Sequence, residues 1–118
     1  MEKISVIGGG HVGLVSAVCF ANSGYDVVLC ERDIEKAELI RTGRPPFFEP
    51  DLEGLLRKTI DTGKLHVSTE IKDAVSDSQL TFVAVGTPSK SDGSIDLTSI
   101  ETSSVETGGA LRGKSGYF

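Results

Sequence analysis

Three glycines near the start of the chain have a spacing that can hold a phosphate group. Gly8, Gly10 and Gly13 form the pattern G-x-G-x-x-G, directly after an apolar run and at the start of a helix-like segment. In this setting the first glycine permits a tight turn, the second lets the backbone approach a pyrophosphate, and the third lets helix and strand pack closely. The pyrophosphate then lies on the free N–H groups at the positive end of the helix dipole. The pattern predicts a dinucleotide site, although three such glycines can also serve a structural turn alone.

An acidic residue further along supports the dinucleotide interpretation. Glu31 ends a second apolar run, 18 positions after Gly13, close to the offset of about 20 residues at which a carboxylate accepts hydrogen bonds from the adenosine ribose. Because a carboxylate there repels a 2′-phosphate, Glu31 favours NAD over NADP. Arg32 leaves the other cofactor open, since an arginine beside the acid can bind that phosphate.

The elements that must position these residues alternate between strand and helix. Ile4 to Ile7 and the segment "DVVLCE" are predicted strands. The helix after the glycines would end at Gly24, and the next would begin at Asp33 and stop at Gly43. This alternation implies a parallel sheet with right-handed crossovers.

The second half of the chain continues the alternation after one extended connection. The prolines of "RPPFFEP" exclude helix and sheet there. The predicted elements that follow are a helix "DLEGLLRKTIDTG", a strand "KLHVST", a short helix "EIKDAVSDS", a buried strand "LTFVAVG", a loop "GTPSKSDGSID" and a last helix "LTSIETSSVETGGALRG". Together they predict a Rossmann-type α/β domain over residues 1–118, with helices on both faces of an incomplete sheet of about four parallel strands in the order 3-2-1-4.

Composition narrows the class of protein. Twelve Lys and Arg against seventeen Asp and Glu give a net charge of −5, without a basic cluster, which argues against nucleic acid as a partner. No apolar run reaches the roughly 20 residues of a membrane span, and "MEKISVIGGG" lacks the features of a signal peptide, so we expect a cytoplasmic protein. Cys19 and Cys30 match neither a metal motif nor a redox pair, and we expect both to be small buried side chains.

Three longer segments resemble a known family in order and spacing. "ISVIGGGHVGLVSAVCFANSGYDVVLCERDIEKAELI", "FFEPDLEGLL" and "FVAVGTPSKSDGSIDLTSIE" resemble the N-terminal domain of the UDP-glucose and GDP-mannose dehydrogenase family. The resemblance covers nearly the whole chain. It implies the NAD-binding portion of an enzyme that oxidises the 6-hydroxymethyl group of a nucleotide sugar, most simply UDP-glucose, to a carboxylate with two NAD molecules.

The resemblance also implies a set of cofactor-binding residues. It assigns the pyrophosphate to the glycine-rich turn, the ribose to Glu31, and the adenosine side to Lys36, which otherwise belongs to a solvated helix face. It places Glu49 and Pro50 in a loop that borders the active-site cleft, and puts His11 where the family usually has Tyr. The full predicted set is Gly8, Gly10, His11, Val12, Gly13, Glu31, Arg32, Lys36, Val85, Gly86, Thr87 and Pro88.

The resemblance implies no catalytic residue in this chain. The family's catalytic thiol, its general-base machinery and most of its sugar-nucleotide site lie beyond the position that matches Phe118, and neither Cys19 nor Cys30 matches that thiol. We therefore expect a fragment that is inactive alone. We also expect it to form homo-oligomers or to associate through its fourth strand, which becomes an exposed edge without the strand expected after "KSGYF". A stand-alone NAD sensor, like the regulatory domains of potassium transporters, and a degenerate fragment that binds nothing remain alternatives.

Overall fold

A parallel sheet forms the centre of the molecule. The computed structural model describes residues 2–112, and its strands are β1 (Lys3–Ile7), β2 (Asp26–Cys30), β3 (Leu65–Ser68) and β4 (Leu80–Val83). Their order is β3-β2-β1-β4, and every pairing is parallel. The predicted Rossmann-type sheet is therefore confirmed.

Helices cover both faces of the sheet. They are α1 (His11–Asn22), α2 (Ile34–Arg41), α3 (Leu52–Asp61), α4 (Ile71–Ser76) and α5 (Thr98–Ala110). On one face, α1 and α3 bury Leu14, Val18 and Leu56 against Val6 and Leu29. On the other face, α4 and the end of α5 pack around Ile7 and Cys30, with Ile71 and Val75. This gives the predicted three layers.

The ends of the helices follow the local signals in the sequence. The Asp33 carboxylate accepts hydrogen bonds from the N–H groups of Glu35 and Lys36, which makes it the N-cap of α2. Gly24 and Gly43 follow α1 and α2 with φ angles of 103° and 87°, the left-handed conformation with which many helices end. The proline-rich connection, residues 45–50, contains neither helix nor strand.

The prediction that the fourth strand is buried is wrong. It ends at Val83, and the exposed fractions of Phe82 and Val83 are 40% and 38%. Within residues 2–112, β4 pairs only with β1, so one edge has no neighbouring strand. Phe82 stacks on Phe20 of α1, with ring centroids 5.2 Å apart, and this covers only part of its surface. The strand expected to begin after residues 114–118 lies outside the described residues.

One further expectation about packing is corrected. Cys30 is buried, but Cys19 is exposed, because it lies on the outer side of α1, away from the buried Ala17, Val18 and Ala21. In α5 the buried side chains are Ser103 and Thr107, whereas Val105 is 75% exposed. Within residues 2–112 no helix combines the length and apolar character that crossing a membrane requires.

Candidate functional site: a cleft at the glycine-rich turn

A cleft of about 570 Å³ lies where β1, β2 and β4 end. Its size falls within the range of small-molecule sites in proteins. It lies where the sheet order places β2 and β4 on opposite sides of β1, the point at which open parallel sheets bind their ligands. The lining residues are Ile7, Gly8, Gly9, Gly10, Cys30, Glu31, Arg32, Asp33, Lys36, Ala84, Val85, Gly86, Thr98, Ser99, Thr102 and Ser103.

Two glycines of the motif are required by the fold itself. Gly8 has a φ of 110°, and a Cβ built there would lie 2.6 Å from the carbonyl oxygen of Ala84. A Cβ on Gly13 would lie only 1.8 Å from the carbonyl oxygen of Gly8. The turn and the close approach of α1 to β1 therefore account for Gly8 and Gly13 without any ligand.

Gly10 differs from these two glycines because its surroundings do not exclude a side chain. It is exposed, it lines the cleft, and a Cβ built on it meets no atom within 4 Å. A methyl group there would project into open space and would keep a ligand away from the backbone. Glycine at this position suits a ligand that approaches the main chain closely, as the pyrophosphate of a dinucleotide does.

The first turn of α1 offers backbone donors beside Gly10. The N–H groups of His11, Val12 and Gly13 donate to no acceptor within residues 2–112, as expected at the beginning of a helix. No side chain caps this end, and the first turn contains no acidic residue. The helix dipole adds partial positive charge here, so the turn suits an anion. These three residues are not among those that line the cleft, and Val12 is 69% exposed. What they offer a ligand is therefore their backbone N–H groups.

Glu31 holds its carboxylate beside the glycine-rich turn. Its Oε2 accepts a hydrogen bond from the N–H of Asp33 at 2.9 Å. A Cβ built on Gly9 would lie 2.9 Å from Oε1 of Glu31, so the absence of a side chain at Gly9 makes room for this carboxylate. The motif does not specify Gly9, and only the contact with Glu31 reveals its part in the site.

Two cationic side chains, Arg32 and Lys36, also line the cleft. The Arg32 guanidinium forms an ion pair with the carboxylate of Glu106 on α5. Lys36 is exposed on α2 and has no ion pair within the described residues. With Glu31 and Asp33, the cleft therefore has two acids and two cations near the end of β2.

One wall of the cleft comes from α5 and was missed from the sequence. It carries four hydroxyl side chains: Thr98, Ser99, Thr102 and Ser103. The signal was present, because residues at positions i, i+1, i+4 and i+5 share one face of a helix.

The turn after β4 contributes to the cleft only in part. Val85 and Gly86 line it, together with Ala84. Thr87 and Pro88 are exposed and lie outside it, in a loop where the N–H of Asp96 donates to the Pro88 carbonyl at 2.7 Å. This turn therefore meets the cleft through its first residues.

Cys30 lies at the floor of the cleft but does not present a reactive thiolate. Only 1% of its surface is exposed, and this burial raises the pKa of its thiol from 9.0 to about 11, with the Arg32 cation opposing the shift. A thiol that stays protonated is a poor nucleophile. Cys30 is therefore a packing residue of the cleft.

His11 links the glycine-rich turn to the proline-rich connection. Its Nε2 lies 2.8 Å from Oε2 of Glu49, and its ring lies 5.0 Å from that of Phe47. The sequence predicted neither contact, because 38 positions separate His11 from Glu49. The pair places Glu49 next to the start of α1.

Comparisons with known proteins show the family to which the chain belongs. The model of the UDP-glucose/GDP-mannose dehydrogenase family, NAD binding domain, matches residues 2–115. The chain is 44% identical to GDP-mannose 6-dehydrogenase of Pseudomonas aeruginosa over 113 residues, which is 96% of this chain and 26% of that protein. It is 42% identical to UDP-glucose 6-dehydrogenase of Rhizobium meliloti over 112 residues, 94% of this chain and 26% of that protein.

Solved structures give the same result. The crystal structure of a ternary complex of GDP-mannose dehydrogenase from Pseudomonas aeruginosa matches 98% of this chain and 26% of its own, with a TM-score of 0.92 and 44% identity. UDP-glucose dehydrogenase from the archaeon Pyrobaculum islandicum matches 95% of this chain and 26% of its own, with a TM-score of 0.90 and 39% identity.

These likenesses confirm the family expected from the sequence, with NAD as its cofactor, and lend no support to the sensor or the degenerate fragment. The chain spans about a quarter of the length of the curated relatives that it matches. The matched region is the part that carries the glycine-rich turn and its cleft. The chain belongs to the UDP-glucose/GDP-mannose dehydrogenase family, as its NAD binding domain.

Proposed function

We propose that this chain binds NAD in the cleft and supplies the cofactor side of a nucleotide-sugar 6-dehydrogenase. The observation that carries the proposal is the open space at Gly10, where the fold itself does not require glycine. The unpaired N–H groups at the start of α1 supply the matching donors. A purely structural turn requires Gly8 and Gly13 and leaves free N–H groups at the start of α1, but it does not require glycine at position 10.

Each part of the cleft receives a role in this proposal. The N–H groups of His11, Val12 and Gly13 hold the pyrophosphate, and the Glu31 carboxylate accepts hydrogen bonds from the adenosine ribose. Lys36 lies on the adenosine side. The turn of Val85, Gly86, Thr87 and Pro88 contacts the cofactor, with the first two residues inside the cleft.

The chemistry of the cofactor defines what this chain must do. Bound NAD accepts hydride from a substrate alcohol, and the protein binds and orients it. None of the residues predicted for this site is catalytic, and burial keeps Cys30 protonated. The domain of residues 1–118 therefore binds and orients the cofactor, while other parts of a whole enzyme act on the substrate.

The proposed substrate of the whole protein is a nucleotide sugar. Its relatives are named for UDP-glucose and for GDP-mannose, and we propose UDP-glucose as the first candidate, with oxidation of the 6-hydroxymethyl group to a carboxylate.

The outer edge of β4, which has no neighbouring strand within residues 2–112, supports a proposal that copies of the chain associate there. Sedimentation velocity tests this, because a monomer at every concentration contradicts it. A cytoplasmic location stays a prediction.

Titration with NADH tests the cofactor proposal directly. Saturable NADH fluorescence enhancement by the folded chain is expected, with weaker binding to Gly10→Ala, because Gly10 lines the cleft and the added methyl group meets no protein atom. Circular dichroism establishes that both proteins are folded. A folded wild-type chain that binds no NADH contradicts the proposal.

An activity assay tests whether this chain alone can oxidise a nucleotide sugar. The chain mixed with NAD and either UDP-glucose or GDP-mannose is expected to form no NADH, since none of the residues predicted for this site is catalytic. Turnover by the purified chain would show that the catalytic residues are present here after all.

A further inference from the structure

Arg32 is the residue of this cleft whose role the sequence leaves open. It directly follows the Glu31 carboxylate, and an arginine at this place can bind the 2′-phosphate that distinguishes NADP from NAD. In the structure the positive charge of its guanidinium is already paired. It pairs with the carboxylate of Glu106, which lies 74 positions further along the chain, on α5.

The other charged residues that line this end of the cleft are two acids and one lysine. Glu31 and Asp33 add carboxylates, and Asp33 is already engaged as the N-cap of α2. Lys36 adds the second cation. With Arg32 held by Glu106, an entering phosphate group meets the lining carboxylates of Glu31 and Asp33, and Lys36 is the only lining cation that has no described ion pair.

We propose that Glu106 is a specificity-determining residue, which disfavours NADP by holding the Arg32 guanidinium in an ion pair. The inference rests on the proposed binding of NAD. A 2′-phosphate must compete with the Glu106 carboxylate for Arg32, and it also meets the negative charge of Glu106 itself. NAD carries free hydroxyl groups at this point of the ribose, so its binding does not require the guanidinium.

The geometry gives Glu106 this role without placing it in the binding surface. Glu106 is not among the lining residues, whereas Thr98, Thr102 and Ser103 on the preceding turns of α5 are. Residues 98, 102 and 106 follow one another at helical spacing on one face. Both partners are about half exposed, with exposed fractions of 48% for Arg32 and 45% for Glu106. Their pairing therefore adds little to stability.

The test compares NADH and NADPH binding by fluorescence in three variants. Glu106→Gln releases Arg32 and removes one negative charge, and it should lower the ratio of the NADPH to the NADH dissociation constant by roughly three- to tenfold at low salt. Glu101→Gln is the matched control, because it makes the same charge change on the same helix without a described ion pair. It should leave the ratio within twofold. Arg32→Gln added to Glu106→Gln should cancel the gain.

The outcomes separate this inference from the proposed function. NADH binding by the wild-type chain with the same ratio in Glu106→Gln contradicts the role of Glu106 and leaves the cofactor site intact. An equal change in Glu101→Gln, or a gain that persists without Arg32, also contradicts it, because each indicates an effect of net charge alone. Absence of NADH binding by the folded wild-type chain contradicts both proposals.

Discussion

Nε2 of His11 lies 2.8 Å from Oε2 of Glu49, and this pair joins the first turn of α1 to the proline-rich connection. The ring of Phe47 lies against the same histidine. Residues 45–50 have no regular structure of their own. Phe47 also packs against the main core, so the contacts with His11 add to that packing in holding this segment against the domain.

Glu49→Ala should loosen the proline-rich connection. Phe48 is 90% exposed, so chymotrypsin can reach this segment, and cleavage beside it depends on local opening. We expect cleavage several times faster than in the wild-type chain, with little change in global stability, because an exposed pair contributes about 1 kcal/mol or less. Glu53→Ala is the control, since Glu53 pairs with Arg57 within α3. Equal cleavage of all three proteins would show that His11 does not restrain the segment.

The glycines of the motif should divide into two classes on substitution. Gly13→Ala places a Cβ 1.8 Å from the Gly8 carbonyl oxygen, and the backbone shift that follows should lower the free energy of unfolding by about 3 kcal/mol or more. Gly10→Ala meets no atom and should cost about 1 kcal/mol or less, while weakening NADH binding at least tenfold. Urea denaturation and NADH titration measure the two effects. If Gly10→Ala binds NADH like the wild-type chain, Gly10 does not contact the cofactor.

The two cysteines should differ in reactivity. The pKa of Cys30 is raised to about 11 by burial, so at pH 8 roughly one thiol in a thousand is ionised, whereas Cys19 is exposed. Iodoacetamide should modify Cys19 alone in the native chain and both residues in urea. Peptide mass spectrometry identifies the sites. Rapid native modification at Cys30 would show that the floor of the cleft opens.

The same pKa predicts a loss of stability at alkaline pH. The folded-state pKa of Cys30 lies above its ordinary value of 9.0, so its contribution is complete below pH 9 and is lost as the pH rises toward 11. The loss should approach 2 to 3 kcal/mol. Because other groups titrate in this range, the measurement is the difference between the wild-type chain and Cys30→Ala in urea unfolding. A difference that does not vary with pH contradicts this linkage.

A buried hydroxyl in α5 should be dispensable. Oγ1 of Thr107 is buried without a hydrogen-bond partner in the described part of the chain. Thr107→Val keeps the shape and removes this unpaired group, so it should raise the free energy of unfolding by about 1 kcal/mol. Thr59→Val is the opposite case, because the buried hydroxyl of Thr59 donates to the carbonyls of Leu55 and Leu56, and its loss should destabilise. Destabilisation by Thr107→Val would mean that this hydroxyl has a partner after all.

The sequence by itself determined the elements and their order. Asp33 caps α2, and Gly24 and Gly43 follow the helices that they were expected to end, because capping and left-handed turns depend on a few neighbouring residues. The parallel sheet followed from the alternation of strands and helices, and the order β3-β2-β1-β4 followed from the Rossmann-type fold that the glycine motif and its acid predicted. The offset of Glu31 from Gly13 predicted that its carboxylate lies beside the glycine-rich turn, because the ends of neighbouring parallel strands lie at the same edge of a sheet.

Only the tertiary structure decided which groups meet across the chain. The pairs of Arg32 with Glu106 and of His11 with Glu49 join residues 74 and 38 positions apart, and side-chain spacing within one element cannot encode such contacts. The exposure of Cys19 has the same cause, because the face that a helix buries depends on its neighbours. The motif placed three glycines, but only the packed structure separated Gly8 and Gly13, which the fold requires, from Gly10, which it does not.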